Sequence, residues 1–198
     1  MNNLKQLALA MHNYHDAYRG LPSHAIYSKD GKTPLLSWRV AILPFIEADH
    51  LYKQFKLDEP WDSPHNRALI PQMPKVYLDP LAPKATEPGK THLQIFVGGG
   101  APWERGPKQP TIPRTFLDGT SNTILIAQAA EPVIWTKPDD LTYDPAQPLP
   151  RLGVEPTVGP IVAMADGSVR VIPLKVTEKS LRAVITAAGG EVIGADWH

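Results

Sequence analysis

Three carboxylates lie close together in the proline-containing stretch LDEPWDSP. Asp58, Glu59 and Asp62 supply oxygen atoms of the kind that calcium prefers, because Ca²⁺ accepts about six to eight oxygen ligands with flexible geometry. The spacing differs from that of an EF-hand loop, and the prolines stiffen the stretch. Capping of a following helix by Asp62 or Ser63 is therefore the favoured interpretation, and a calcium site is the alternative that stays open.

Two histidines and an aspartate near the amino terminus form a second group with metal-ligand chemistry. His12 and Asp16 are one helical turn apart, whereas His15 falls among the apolar residues of the same predicted helix. A zinc site needs about four converging ligands, and the sequence offers no matching partner elsewhere. We therefore expect a packed His15 and a surface pair of His12 with Asp16.

Two tryptophans in proline-rich segments could stack on a sugar ring. Trp103 and Trp135 lie between predicted strands, in stretches whose composition is typical of exposed loops. They are the candidate residues for binding a carbohydrate or another small solute. Tryptophans in loop-rich chains also anchor loops to the core through their large apolar rings, and this interpretation is the favoured one.

Two Asp-Gly pairs mark turns rather than catalytic loops. Asp118-Gly119 opens the stretch DGTSN, which lacks the glycine–lysine pattern of a phosphate loop and the flanking glycines of a nucleophile elbow. Asp166-Gly167 lies between two apolar arms over 161–172, which predicts a β-hairpin with a primed turn. No acid–base pair or Ser/His/Asp arrangement stands out, so we expect no enzymatic activity.

The composition bounds the class of protein. The chain has 198 residues, no cysteine, 22 prolines and a formal net charge of +0. This length suits a single domain, 1–198, and the neutral charge argues against a nucleic-acid partner. The absence of cysteine excludes disulfides and thiolate metal sites. No apolar run reaches the ~20 residues that cross a bilayer, so this chain itself is expected to be soluble.

The order of the predicted elements indicates an α+β fold with three consecutive regions. An amphipathic helix occupies 1–20 and stops at Gly20, followed by a helical and loop region over 21–74. An antiparallel sheet with long proline-rich loops and a C-terminal helix occupies 75–198. The apolar stripe of the first helix must be covered by the rest of the domain, and it consists of Leu4, Leu7, Ala8, Met11, Tyr14, His15 and Tyr18.

Capping and turn signals place the individual elements. Ser37 and Thr177 are predicted N-caps, and Pro44 is predicted to break a helical segment that covers the first helix. The predicted helices are 38–43, a segment ending at 55, 64–70 and 178–188. The predicted strands are 75–78, 92–97, 123–129, the two hairpin arms and the tail 191–198.

Several blocks of the chain together resemble the DUF1559 family, a mainly planctomycete family that also carries the label solute-binding protein family 10. The blocks, in order, are NNLKQLALAMHNYHDAYRGLP, LSWRVAILPFIE, LDEPWDSPHN, DGTSNTILIAQAAE, WTKPDDLTYD and ADGSVRVI. The motif residues within them are Trp38, Trp61, Asp118, Gly119, Asp166 and Gly167. The stretch DEPWDSPHN is also similar, although loosely, to the Asp-Pro-Trp-Gly-Asn-Pro loop of major pseudopilins.

The resemblance implies a pilin-like architecture, in which the N-terminal helix packs on an antiparallel sheet. Family members typically carry a prepilin-type segment with a long apolar helix just before NNLKQ, and this chain lacks it. The family signature also has a histidine that nine residues separate from its Asp-Gly, whereas this chain has Pro156 at that position. The resemblance therefore carries no role of that histidine over to this chain.

The implied function is that of a non-enzymatic, extracytoplasmic subunit related to type IV pilins or type II secretion pseudopilins. This chain would be its head, anchored or assembled through the missing N-terminal helix at the periplasmic side or the cell surface. The expected partners are further copies or other pilin-like subunits. The alternative is a binding module for a carbohydrate or small solute.

Overall fold

The computed structural model describes residues 1–79, 81–82 and 87–197. The fold is α+β, as predicted, with an N-terminal helix, antiparallel sheets and a C-terminal helix. Within these residues, no helix combines the length and the apolar character that crossing a membrane requires.

Helix α1 (Asn2–Tyr18) buries the predicted stripe as far as Met11 and leaves its opposite side bare. Its buried residues are Leu4, Leu7, Ala8, Ala10 and Met11. The end of the helix differs from the prediction, because Arg19 rather than Gly20 adopts the left-handed conformation, with a φ of 62°. Gly20 instead lies close to another segment, since a Cβ there would be 3.1 Å from the Gln109 side chain.

The segment after α1 contains a hairpin that the sequence did not predict. Strands β1 (Ala25–Tyr27) and β2 (Pro34–Ser37) pair antiparallel, with Asp30 and Gly31 in the turn between them. Helix α2 (Trp38–Ala41) follows, and the Ser37 hydroxyl accepts a hydrogen bond from Arg39 N at 3.2 Å, as its predicted capping role requires.

Pro44 breaks the following helical segment, as predicted. A 3₁₀ helix spans Leu43–Ile46, and helix α3 (Asp49–Tyr52) resumes after it. Helix α4 (Pro64–Arg67) is shorter than predicted, and two further 3₁₀ turns cover Ile70–Gln72 and Lys75–Tyr77.

The strand predicted over 75–78 is wrong. The chain turns there because the Tyr77 ring enters the core, where it stacks on Trp135 with ring centroids 5.7 Å apart. The Tyr77 hydroxyl donates to the backbone carbonyl of Arg39 at 2.7 Å. An extended segment would leave this large side chain without those contacts.

The remaining strands build the central sheet and a small second sheet. They are β3 (Lys90–Gln94), β4 (Phe96–Val97), β5 (Ile124–Ile134), β6 (Leu141–Thr142), β7 (Ile161–Met164) and β8 (Val169–Val171). The central sheet is antiparallel in the order β3-β5-β7-β8, whereas β4 and β6 pair in parallel. The strands predicted over 92–97 and 123–129 therefore exist, with the first divided and the second extended.

The central sheet is covered on both faces. In β7, Ile161 and Ala163 join the core beneath α1, whereas Val162 and Met164 join the core on the opposite face. Helix α5 (Glu178–Ile185) contributes to that second core. Successive strand residues point to opposite faces, so this strand is buried throughout and the domain has three layers.

The C-terminal helix is capped as predicted but ends early. Thr177 Oγ1 accepts from Ser180 N at 3.3 Å, and the helix stops at Ile185 rather than at the Gly189-Gly190 pair. The tail is a 3₁₀ turn over Ala195–Trp197 instead of the predicted edge strand. The Asp196 carboxylate holds this tail against the start of α5, by accepting from Thr177 N at 2.6 Å and from the Ser180 hydroxyl at 2.5 Å.

The hairpin at Asp166-Gly167 is confirmed, although its turn is not primed. Only Gly167 has a positive φ, 83°, whereas a two-residue primed turn of type I′ needs two such residues. Gly167 N donates to Met164 O at 2.9 Å, and Met164 N donates to Ser168 O at 2.8 Å. This is a three-residue loop with a left-handed glycine, the geometry that suits a non-glycine residue at Asp166.

Candidate functional site

The expectation that Trp103 and Trp135 lie in exposed loops is wrong. Both side chains are fully buried, and their indole N–H groups donate to Pro22 O at 2.8 Å and to Ile70 O at 2.9 Å. Each ring therefore fixes a loop to the core, which is the favoured interpretation from the sequence. Neither ring presents a face on which a sugar could stack.

The acidic loop does not form the calcium site that was weighed for it. Asp58 and Asp62 are exposed, and Glu59 Oε1 instead accepts from Lys56 Nζ at 2.9 Å. Among the described residues, no group of three or more His, Asp and Glu side chains converges to hold a metal ion. Ser63 caps α4, with its hydroxyl accepting from Asn66 N at 3.1 Å.

A buried amide organises this loop in place of a cation. Asn66 Nδ2 lies within hydrogen-bond distance of three backbone carbonyls, at 2.9 Å from Lys56 O and 3.1 Å from both Glu59 O and Pro60 O. Asn66 Oδ1 accepts from Lys56 N at 3.0 Å. Carbonyl oxygens that could ligate calcium are therefore occupied by the amide, a role that the sequence did not reveal.

The two histidines of α1 take different partners from those predicted. His15 Nδ1 lies 3.7 Å from Asp16 Oδ1, and His15 Nε2 accepts from Ile112 N at 3.1 Å. His12 faces the hairpin turn instead of pairing with Asp16. Its Nε2 lies 3.8 Å from the position that a Cβ on Gly167 would occupy. This nitrogen is buried and has no hydrogen-bond partner among the described residues.

A buried ion pair links α2 to the loop before β6, and no sequence pattern predicts it. Arg39 Nη2 donates to Asp140 Oδ1 at 2.7 Å, and Arg39 Nε donates to Leu93 O at 3.0 Å. Asp140 Oδ1 also accepts from Trp38 Nε1 at 3.2 Å and from Ile95 N at 3.1 Å. The pair sits inside the core, which suits it to holding the two halves of the domain together.

The electrostatics of this pair follow from its burial. Desolvation raises the pKa of Asp140 to about 6, and the Arg39 charge and three hydrogen bonds offset only part of the shift. Burial also raises the pKa of Tyr77, whose hydroxyl bonds to the Arg39 backbone. A carboxyl with a raised pKa is a candidate acid or base only where substrate reaches it, and Asp140 has 1% of its side chain exposed.

The Asp-Gly motif residues hold the sheet to the C-terminal segment. Asp118 Oδ2 accepts from Gly189 N at 2.8 Å and Asp118 Oδ1 accepts from Gly190 N at 2.9 Å. Gly119 has a φ of 100°, which only glycine adopts readily. The second motif docks on the first, because Asp166 N donates at 3.0 Å to the carbonyl of Thr120, which directly follows Gly119.

The motif tryptophans are also structural. Trp38 is fully buried and carries the Arg39 guanidinium over its ring at 4.8 Å. Trp61 is half-buried, its backbone N–H donates to Leu35 O at 2.8 Å, and the Lys137 ammonium lies 5.8 Å from its ring centroid.

An open groove lined by tyrosines is the most promising binding surface among the described residues. We call it the tyrosine groove. It has a volume of about 610 Å³ and runs between the last turns of α1, the β1–β2 hairpin and α3. Its aromatic lining residues are Tyr14, Tyr18, Tyr27 and Tyr52. Its polar lining residues are Ser23, Ser28, Lys29 and Asp30.

The tyrosine groove continues towards the acidic loop. The adjoining hollow shares Tyr27, Lys29, Asp30 and Leu57 with it and extends to Asp58. The helical periodicity predicts that Tyr14 and Tyr18 lie in the covered stripe of α1. Tyr18 is instead 59% exposed.

Residues 1–158 of the chain match the family described as Protein of unknown function (DUF1559). The matched range includes Trp38, Trp61 and the Asp118-Gly119 turn, and it ends before the Asp166 hairpin. No curated protein and no solved structure matches the chain.

Proposed function

The chain belongs to the DUF1559 family of proteins of unknown function, and from this premise we propose that it is the head of a non-enzymatic, pilin-like structural subunit. The subunit acts outside the cytoplasm. It assembles with further copies, or with other pilin-like subunits, through the helix that α1 continues. The single observation that carries the proposal is the division of α1 into one buried face and one bare face.

The buried face supports the pilin-like architecture. Leu7, Ala8 and Met11 are fully enclosed against the central sheet and the 3₁₀ helix Leu43–Ile46. An N-terminal helix packed on an antiparallel sheet is the arrangement that the family resemblance implies. Burial of several apolar side chains, at about 1.5–3 kcal/mol each, holds the helix rigidly on the head.

The bare face supplies a contact surface for a neighbouring subunit. Leu9 projects from it with 60% of its surface exposed. Beside it lies a cleft of about 310 Å³ lined by Gln6, Phe45, Glu47 and Val76 among others. The occupant that we propose is the corresponding helix of a second copy, whose apolar side chains would cover Leu9 and fill this cleft.

Charge on the bare face is compatible with such packing. Lys5 and Asp16 carry opposite charges on it, and Asn13 between them is uncharged. Like charges on facing helices would repel, whereas a balanced face tolerates close approach of an identical copy. The neutral overall charge likewise favours a protein partner over nucleic acid.

The non-enzymatic part of the proposal rests on where the titratable groups lie. Asp140, whose pKa burial raises to about 6, is sealed beside Arg39 and Trp38. The tyrosine groove is lined by hydroxyls and two opposite charges, Lys29 and Asp30, without a histidine. These groups suit binding and structure better than proton transfer.

Cross-linking through single cysteines tests the assembly, because the chain has no cysteine of its own. Leu9→Cys is expressed from the full gene in the cells that make the protein, and intact cells are oxidised before electrophoresis. We expect a cross-linked dimer or ladder in the cell-surface fraction, since two copies would bring the bare faces of their helices together.

Val192→Cys is the matched control, because Val192 is 82% exposed on the C-terminal tail. It should stay monomeric under the same oxidation. Monomers for both variants, or protein confined to the cytoplasm, would overturn the proposal. Sequencing the gene upstream of the Met1 codon gives an independent test, since the proposal needs an in-frame apolar stretch of ~20 residues there.

A further inference from the structure

The tyrosines of this chain are concentrated in one place. The sequence has 6 tyrosines, and Tyr14, Tyr18, Tyr27 and Tyr52 line the tyrosine groove. These four come from α1, β1 and α3, so only the fold brings them together. Tyrosine combines a flat apolar ring with a polar hydroxyl, which is the chemistry of binding surfaces that face partly polar ligands.

The rings are held in place before any ligand arrives. Tyr14 and Tyr18 have ring centroids 4.5 Å apart, and Phe45 supports both rings from centroid distances of 5.6 Å and 6.1 Å. Gln109 Nε2 donates to the Tyr14 hydroxyl at 3.3 Å, and Gly106 N donates to the Tyr27 hydroxyl at 2.7 Å. A preformed aromatic wall loses little entropy when it binds.

Two of the hydroxyls are available to a ligand. Within the described residues, the hydroxyls of Tyr18 and Tyr52 make no hydrogen bond, whereas those of Tyr14 and Tyr27 do. Burial raises the pKa of Tyr14 and of Tyr52, and the proximity of Tyr18 raises both further. The Tyr52 hydroxyl therefore keeps its proton at neutral pH. A protonated phenol both donates and accepts, which matches a sugar hydroxyl.

The charges at the groove select against a strongly charged ligand. Lys29 and Asp30 line it together, and Asp58 lies at its continuation. Asp30 Oδ1 accepts from the Ser28 hydroxyl at 2.5 Å and from Lys32 N at 3.2 Å, which keeps this carboxylate at the rim. A polyanion would meet two carboxylates here, whereas a neutral polyhydroxyl ligand finds both donors and acceptors.

We propose that the tyrosine groove binds a neutral oligosaccharide. A sugar ring stacks on the exposed face of Tyr18, while neighbouring sugar hydroxyls bond to the hydroxyls of Tyr18 and Tyr52 and to the Asp30 carboxylate. The open shape suits a chain that passes through the groove. The inference is independent of the assembly proposal, because it uses the end of α1 rather than the bare face around Leu9.

Calorimetric titration of the purified chain with maltohexaose, cellohexaose and chitohexaose tests the site. We expect at least one of them to bind with a Kd of about 1 mM or tighter. Tyr18→Ala should weaken that binding by about tenfold, because it removes the stacking surface. Tyr52→Ala should weaken it as well, whereas Tyr18→Phe keeps the ring and should retain most of the affinity.

Leu117→Ala is the control for loss of an exposed apolar side chain away from the groove, since Leu117 is 74% exposed. It should leave the affinity unchanged, and thermal unfolding establishes that each variant folds. Absence of binding to all three neutral hexasaccharides overturns the inference. Binding that Tyr18→Ala and Tyr52→Ala leave unchanged, or binding of hexagalacturonate alone, overturns it too. None of these results bears on cross-linking at Leu9→Cys, so the two proposals fail separately.

Discussion

Arg39 Nη2 lies 2.7 Å from Asp140 Oδ1, and the two side chains are 0% and 1% exposed. The pair joins residues that are 101 positions apart in sequence, so it connects the helical region to the sheet region. Asp140 Oδ2 is buried without a hydrogen-bond partner among the described residues. All the hydrogen bonds that offset the cost of burying this carboxylate are therefore made by one of its oxygens, Oδ1. The pair should accordingly be sensitive to substitution of either residue.

Removal of one partner should be strongly destabilising. Asp140→Ala leaves the Arg39 guanidinium buried without its counter-charge, and we expect a loss of about 3–5 kcal/mol in the free energy of unfolding. Urea titration followed by tryptophan fluorescence measures it. Asp49→Ala is the control, because its ion pair with Lys53 is exposed and is worth about 0.3–0.5 kcal/mol. Equal losses for the two variants would contradict the prediction.

The stability of the protein should fall as the pH rises from about 4 to about 6. Burial raises the pKa of Asp140 to about 6, whereas an unfolded aspartate titrates near about 3.9. Between these values the folded state keeps a proton that the unfolded state has lost, so deprotonation favours unfolding. Urea unfolding at a series of pH values measures the slope.

Asp140→Asn should remove this slope, because an amide does not titrate. Asp196 provides an internal reference for a carboxylate with the opposite pH dependence of stability. Hydrogen bonds from Ser180 and Thr177 lower its pKa to about 2. Its contribution to stability is lost as the pH falls below about 4, which is outside the window of Asp140. The same slope in Asp140→Asn and in the parent chain would show that another group is responsible.

Asn66 should be the critical residue of the acidic loop. Asn66→Ala leaves the carbonyls of Lys56, Glu59 and Pro60 without their donor, and we expect a loss of about 1–3 kcal/mol in the free energy of unfolding. Differential scanning calorimetry measures it. Asp62→Ala is the comparison, because this neighbouring carboxylate is exposed and should change stability by about 0.5 kcal/mol at most. A loss at Asp62 as large as that at Asn66 would show that the carboxylate also stabilises the loop.

Asp118 should control the local stability of the segment after α5. Asp118→Ala removes the acceptor for the amides of Gly189 and Gly190, so both should exchange hydrogen faster by about tenfold. Amides of β5 and β7 should keep their protection, because the sheet is unaffected. Leu117→Ala is the adjacent control and should leave all of these rates unchanged. Uniformly faster exchange would mean that Asp118 stabilises the whole domain instead.

The sequence was informative about helix caps and periodicity, which depend on near neighbours. Ser37 and Thr177 cap helices as predicted, because the bonded amides lie two or three residues along the chain. The stripe of α1 and the hairpin at Asp166 were also correct in outline. The predicted turn type at Asp166 and the predicted end of α1 were wrong in detail. In each case the φ angle of one residue, Gly167 or Arg19, decides the local geometry.

Features that join distant residues were outside the reach of sequence patterns. The sequence around Trp103 and Trp135 is typical of exposed loops, yet both rings are held in the core by distant acceptors. Trp103 donates to Pro22 O, 81 positions away, and Trp135 donates to Ile70 O, 65 positions away. The tyrosine groove likewise needs α1, β1 and α3 side by side.

The amino-acid sequence by itself determined the α+β class, the amphipathic first helix, the hairpin and the family resemblance, because periodicity and capping are local properties. Tertiary structure alone decided which aromatic rings are exposed and which charges meet. Burial and long-range pairing depend on how separate elements pack. For this reason the sequence indicates two tryptophans as candidate binding residues, whereas the structure indicates Tyr18 and Tyr52.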